Sequence, residues 1–185
     1  MRTKRSILIV EDDLTSRRIL SQILSPDYDT LEAANGQEAL DLLNLGEHDV
    51  SLIFLDIWMP VMDGYTFMEK LRTNHILAAI PVIVLTGRSG EEDEVKALAM
   101  GATDFITKPY KPRVVLHRAA SIIALRETAA LELLCVRTVQ RCWENGYDLL
   151  SLGAVRALKQ GTGREALTTK NACPQVQADV SFLQF

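Results

Sequence analysis

Short apolar runs alternate with stretches of helical periodicity from Ser6 to Thr107. Ser6-Ile-Leu-Ile-Val10 is a β-branched and leucine run that stops at Glu11, Asp12 and Asp13, as a strand buried on both faces does where it empties into a polar site. From Leu14 the apolar residues Ile19, Leu20, Ile23 and Leu24 recur at helical spacing until Pro26, and Gln37–Leu45 repeats the pattern. Between these helices Asp29–Ala33 reads as a brief second strand, closed by the turn pair Asn35-Gly36. Val50–Leu55 is the strongest strand signal and ends on Asp56, followed by the loop Ile57-Trp-Met-Pro-Val-Met-Asp-Gly64. Tyr65–Arg72 reads as helix, Pro81–Leu85 as a fourth strand ending on Thr86, Glu91–Met100 as helix, and Asp104–Thr107 as a fifth strand ending on Lys108. Strand and helix thus alternate five times. That order predicts an α/β fold with right-handed crossovers: a doubly wound, parallel, five-stranded sheet covered on both faces. In such sheets the ligand site lies beyond the carboxyl ends of the strands.

Composition changes this picture little. A chain of 185 residues has room for one domain of roughly 120 residues and a short remainder. A hydrophobic fraction of 48% and a charged fraction of 24% are ordinary for a globular protein and argue against disorder. No apolar run reaches the 18 or so residues that cross a bilayer, and Met1–Arg5 leads into a strand-like run instead of a signal-peptide core, so a cytoplasmic protein without membrane contact is expected. Cys135, Cys142 and Cys173 all lie late in the chain, and none has CxxC spacing, which supports neither a disulfide framework nor a zinc site. Residues 1–125 hold 13 Lys/Arg against 18 Asp/Glu, a net of −5, and residues 126–185 are at +1. Neither value offers electrostatic support for nucleic acid as a partner.

The chemistry gathers at the strand ends: Glu11 and Asp12 after the first, Asp56 after the third, Thr86 after the fourth, Lys108 after the fifth. Singly, each has an ordinary reading. Asp56 can be a turn residue, the acidic triplet a solvated helix cap with Asp13 as N-cap, Thr86 a strand residue and Lys108 a loop residue. In order and at these separations, Ile7-Leu-Ile-Val-Glu-Asp-Asp13, Asp56-Ile-Trp-Met-Pro-Val-Met-Asp-Gly64, Leu85-Thr86-Gly87 and Lys108-Pro109 resemble the receiver domain of bacterial two-component response regulators, over about two thirds of the chain.

The resemblance implies a flavodoxin-like (βα)5 fold over residues 1–125, with Asp56 accepting a phosphoryl group from a sensor histidine kinase or phosphotransfer protein. Three carboxylates at one site repel unless a hard cation sits among them, and oxygen ligands with a phosphate partner suit Mg²⁺. Asp12 and Asp56 are the expected direct ligands, Glu11 acts through water, and the resemblance adds the backbone carbonyl of Trp58. Lys108 supplies positive charge to the transferred oxygens and Thr86 a hydroxyl donor, so Mg²⁺-dependent self-phosphorylation and autodephosphorylation are expected of a switch that is not a metabolic enzyme. Phe105, three residues before Lys108, stands at the family's switch-aromatic position. It departs from the commoner Tyr, so a switch through a phenol hydroxyl is not expected; a plain core residue is the alternative. Gly87 leaves the site open and favours faster phosphate loss, and Lys108-Pro109 is a candidate cis peptide. The face of the fourth helix, fifth strand and fifth helix, with Lys111, Arg113, His117 and Arg118, is the expected homodimer surface, although such charges are commonly a solvated face.

From Pro112 a helical pattern runs through Val115, Ala119 and Ile123 and continues to about Trp143, where Asn145-Gly146 breaks it. Residues 126–185 are therefore a helical extension and a short helical or irregular tail. Tyr147–Gln160 is a second periodic stretch, and a helix-turn-helix can be drawn through Leu149–Leu167 only across Gly153, Gly161 and Gly163. The extension resembles the linker that leads to a diguanylate cyclase or another effector, but no effector motif follows. The alternatives are a phosphorylation-independent interaction module and the receiver part of a truncated diguanylate cyclase or DNA-binding regulator.

Overall fold

The computed structural model describes residues 4–87 and 91–144. Five strands, β1 (Ser6–Val10), β2 (Asp29–Ala33), β3 (Val50–Asp56), β4 (Val82–Thr86) and β5 (Asp104–Thr107), form one sheet in the order β2-β1-β3-β4-β5. Every pairing is parallel. The helices are α1 (Leu14–Leu24), α2 (Gly36–Leu45), α3 (Gly64–Thr73), α4 (Glu91–Ala99) and α5 (Pro112–Glu144). The order reverses between β1 and β3, which makes the crevice above their carboxyl ends the natural binding position.

Alternate residues of each strand face opposite sides of the sheet, and both sides are apolar. Leu8, Val10, Ile53, Leu55 and Val84 pack with Ala39, Leu40 and Leu43 of α2, Phe67, Met68 and Leu71 of α3, and Ala97 of α4. Ile7, Ile9, Leu52, Phe54, Ile83 and Leu85 pack with Leu20 and Leu24 of α1 and Val115, Ala119 and Ile123 of α5. All seven residues of β3 are buried, which explains why its sequence reads as a continuous apolar run without alternation.

Several boundaries differ from the sequence expectation. β3 and β4 include Asp56 and Thr86 as their last residues, so both polar groups belong to the ladder and not to the loops. β4 starts at Val82 and not Pro81: the proline has no N–H to donate, while its carbonyl accepts from Ile53 at 3.0 Å. Asn35-Gly36 is not a separate turn. Asn35 caps α2, its side-chain oxygen accepting the N–H groups of Gln37 and Glu38 at 3.0 Å each, and Gly36 is the first helical residue. A 3₁₀ turn at Leu77–Ala79 was not anticipated, and α4 ends at Ala99, one residue short of Met100.

The chain divides into two compact units, residues 1–124 and 125–185. α5 reaches Glu144, as the helical pattern through Trp143 predicts. The tail expectations, the helix over 147–160 and the helix-turn-helix among them, lie outside the described residues. Among the described residues no helix is long and apolar enough to cross a membrane.

Candidate functional site

Each buried strand delivers its terminal polar group to one end of the sheet because the apolar run before it holds the register. Glu11 follows β1, is 1% exposed, and donates its backbone N–H to the Ala33 carbonyl at 3.1 Å. Asp56 closes β3. Its Oδ1 accepts the N–H of Ile57 at 2.6 Å and that of Trp58 at 3.4 Å, which orients the carboxyl group at the start of the β3–α3 loop. The loop returns tightly: Gly64 N–H donates to Ile57 O at 2.9 Å, and a Cβ on Gly64 would lie 2.4 Å from the Asp56 carbonyl oxygen. Only glycine fits there.

Lys108 joins the two acids. Its Nζ donates to Asp56 Oδ2 at 2.6 Å and to Glu11 Oε1 at 3.0 Å, and lies 2.7 Å from Glu11 Oε2. Its backbone N–H donates to the Thr86 carbonyl at 2.8 Å, so one bond fixes the strand ends of β4 and β5 together. The Lys108–Pro109 peptide is cis, as expected. Asp12 is exposed at the mouth, and one carboxylate oxygen from each of Glu11, Asp12 and Asp56 lies within 4.8 Å of the others, a group that could hold a metal ion. The Thr86 hydroxyl is buried without a hydrogen-bond partner. A buried, unpaired donor at such a place is a group waiting for an acceptor.

The electrostatics follow from one cation shared between two carboxylates. Burial raises the Glu11 pKa above 4.5, and repulsion from Asp56 adds to it, against the lowering effect of Lys108 and Tyr110. Burial alone would lower the Lys108 ammonium, but hydrogen bonds and attraction from Asp56 and Glu11 outweigh it and hold its pKa above 10.5. The site is therefore charged, crowded and short of positive charge.

Trp58 projects outward, 69% exposed, with its backbone beside Asp56. Phe105 pairs with Val84 in the β4–β5 ladder, two residues before the Thr86–Thr107 pair, which puts it on the same sheet face as Thr86. It packs, half-buried, on the core beneath α3 and α4. Arg118 forms an ion pair with Asp104, donates to Phe105 O at 2.9 Å and lies 5.8 Å from the Phe105 ring centre. The structure thus brings Glu11, Asp12, Asp56 and Lys108 together, joins Thr86 through the backbone, and sets Phe105 in the adjoining ladder.

Two residues escaped the sequence reading. Tyr110 donates its hydroxyl to Glu11 Oε2 at 2.9 Å, and burial, with repulsion from Glu11 next, raises its own pKa. Arg17 of α1 donates to the Glu11 carbonyl at 2.5 Å and to Glu32 Oε2 at 3.2 Å, fastening the acidic loop to β2. Tyr110 was signalled only by its position just after Lys108-Pro109, and Arg17 only by lying four residues after the cap Asp13.

Comparison with known proteins agrees with this geometry. ArcA, the aerobic respiration control protein of Escherichia coli K12, is 35% identical over 144 residues, 77% of this chain and 58% of ArcA. The chain spans about half the length of the curated relatives it matches. The crystal structure of the signal receiver domain of a signal transduction histidine kinase from Syntrophus aciditrophicus is 40% identical, with a TM-score of 0.59 over 65% of this chain and 90% of that one. The receiver domain of the sensor histidine kinase PA1611 from Pseudomonas aeruginosa, solved with a magnesium ion coordinated in its active site cleft, is 25% identical, with a TM-score of 0.60 over 66% of this chain and 99% of that one. The family model for the response regulator receiver domain matches residues 7–120, the stretch that carries the five strands, save Ser6 at the start of β1, and every residue of the acidic site. The chain belongs to the response regulator receiver domain family.

Proposed function

We propose that Asp56 is the phosphoacceptor of a two-component switch and that its donor is a phosphohistidine on a sensor histidine kinase or phosphotransfer protein. The observation that carries this reading is the Lys108 bridge between Asp56 and Glu11 beside exposed Asp12, with the unpaired Thr86 hydroxyl in the next strand. An Asp56 carboxylate oxygen attacks phosphorus, the phosphorus–nitrogen bond breaks, and the imidazole nitrogen leaves with the electron pair. Lys108 meets the charge on the transferred oxygens, and Thr86 donates its hydroxyl to one of them. Hydrolysis by water returns the carboxylate and releases inorganic phosphate.

The three carboxylates are hard oxygen donors close enough for one cation, and they fit Mg²⁺. Asp12 and Asp56 would hold it directly, Glu11 through water, and the Trp58 carbonyl would add an oxygen. Bound Mg²⁺ supplies positive charge to the phosphoryl oxygens. The magnesium site of the PA1611 receiver supports this choice of ion.

Phosphorylation adds about −1.5 to −2 charge at pH 7. Drawing Thr86 toward it frees space on the face that Phe105 shares, and the α4, β5 and α5 face carries the change, with homodimerisation as its output. Residues 1–125 carry this activity in the cytoplasm, and residues 126–185 are an extension of separate role. Labelling with an acyl phosphate tests the assignment: Asp56→Asn abolishes it, whereas Asp12→Asn acts mainly by weakening Mg²⁺ binding. Labelling retained in the Asp56 variant would overturn the proposal.

A further inference from the structure

We infer that Tyr110 is a positioning residue for the cation site: its hydroxyl fixes the Glu11 carboxylate in the orientation in which it serves a bound divalent ion. This inference rests on the Mg²⁺ reading of the acidic cluster. Three observations carry it. The Tyr110 hydroxyl donates to Glu11 Oε2 at 2.9 Å, while Lys108 Nζ donates to Oε1 at 3.0 Å and also lies 2.7 Å from Oε2. Both Glu11 oxygens are thus held by protein groups while the side chain is 1% exposed, so its orientation is set by the protein around it. The Tyr110 ring itself packs on the core beneath α1 and α5, against a cluster that includes Ile9, Leu85 and Val115. Tyr110 therefore reaches the acid from a rigid base.

The two donors differ in what they do. Lys108 is shared with Asp56 and is needed at the transferred phosphoryl group, so its hold on Glu11 changes when the site is used. Tyr110 carries no charge, and its hydroxyl is spent on Glu11, so its hold persists through the cycle. Groups that orient a metal-binding side chain from behind typically contribute 10- to 100-fold in metal affinity. Glu11 without Tyr110 keeps its charge but loses its fixed direction, and the cation site loses affinity while Asp56, Lys108 and Thr86 keep their places.

The test is a double-mutant cycle on the full chain, with Mg²⁺ affinity measured by isothermal titration calorimetry. Tyr110→Phe retains the ring and its packing, and it is expected to weaken Mg²⁺ binding about 10-fold. The rate of acyl-phosphate labelling at saturating Mg²⁺ is expected to stay within about twofold. In a Glu11→Gln background the same substitution is expected to change the affinity by less than about twofold, because its effect runs through the carboxylate. Unchanged affinity in Tyr110→Phe, or an equal loss in both backgrounds, overturns the inference. If Tyr110→Phe does not melt cooperatively, carbon-13 NMR of the ring carbon bearing the hydroxyl decides instead. At least one of the chain's four tyrosine signals then shifts on Mg²⁺ addition to the unmutated chain, and no shift overturns the inference. Failure of the unmutated chain to bind Mg²⁺ would sink the reading of the site as well, whereas binding that ignores Tyr110 sinks only the positioning role.

Discussion

Thr86 and Val61 are each held in a state that folding alone does not favour. The Thr86 hydroxyl is buried without a partner, and such a group costs about 1–3 kcal/mol relative to a satisfied one. Thr86→Val replaces it with a methyl group of similar shape. The expected result is a chain as stable as the parent or more stable by up to about 1 kcal/mol in urea unfolding, with acyl-phosphate labelling slowed. Loss of stability would mean that the hydroxyl already has a partner. Val61 is the centre of a γ-turn: Met62 N–H donates to Pro60 O at 2.7 Å, and the β-branched residue has φ 67. A non-glycine residue there costs about 1–2 kcal/mol, and glycine returns about 0.5–1 kcal/mol of that through its looser unfolded state. Val61→Gly is therefore expected to raise the urea midpoint, corresponding to roughly 0.5–1 kcal/mol. Sequence makes the identity of both residues plain and their state invisible, because burial of a hydroxyl and a left-handed φ arise only when the strand and the loop are folded. The same limit hid Tyr110 and Arg17, whose partners lie across the fold.

At the level of elements, most of the molecule was legible. Strands and helices that end in a sharp chemical change, such as Val10 to Glu11 or Leu55 to Asp56, were read almost to the residue, since buried apolar runs cannot continue past a charged group. What blurred was punctuation: Asn35-Gly36 has turn composition yet supplies a cap and a first helical residue, because a cap and a turn use the same side-chain-to-backbone bond. α3 shows the cost of losing such a cap. Asp63 accepts the Thr66 N–H at 2.7 Å, and these hydrogen bonds hold its carboxyl below the ordinary 3.8. A depressed folded-state pKa stabilises above the unfolded value and ceases to do so as pH falls through the folded one. Asp63→Ala is expected to cost about 1 kcal/mol at pH 7, and the gap from the parent should narrow below pH 3.8, measured by urea unfolding at several pH values. A gap independent of pH would assign the loss to packing and not to the cap.

At the scale of the whole molecule, the sheet and the two apolar clusters that cover it lie within the first unit. The apolar cluster under α1 and α5 includes Ile123, and the division falls at Ala124. A chain ended after Leu125 is expected to melt cooperatively within about 5 °C of the parent and to respond to Mg²⁺; loss of cooperative melting would show that residues 126–185 are needed for folding. The overall α/β order was evident from five alternations of period and Lys108 stood out at its strand end, whereas the hold of Lys108 and Tyr110 on Glu11 depended on contacts across 97 and 99 residues. Both residues come just after β5, four residues long and paired only with β4 at the border of the sheet. Border strands open more easily than central ones. Local opening of this strand would carry Lys108 away and leave Glu11 and Asp56 facing each other without their shared cation. On the proposed role of Asp56, a chain folded by every global measure would then be momentarily unable to take phosphate. Amide exchange at Lys108, whose N–H is bonded to the Thr86 carbonyl, is expected to exceed that of β3 and to slow when a divalent ion relieves the repulsion.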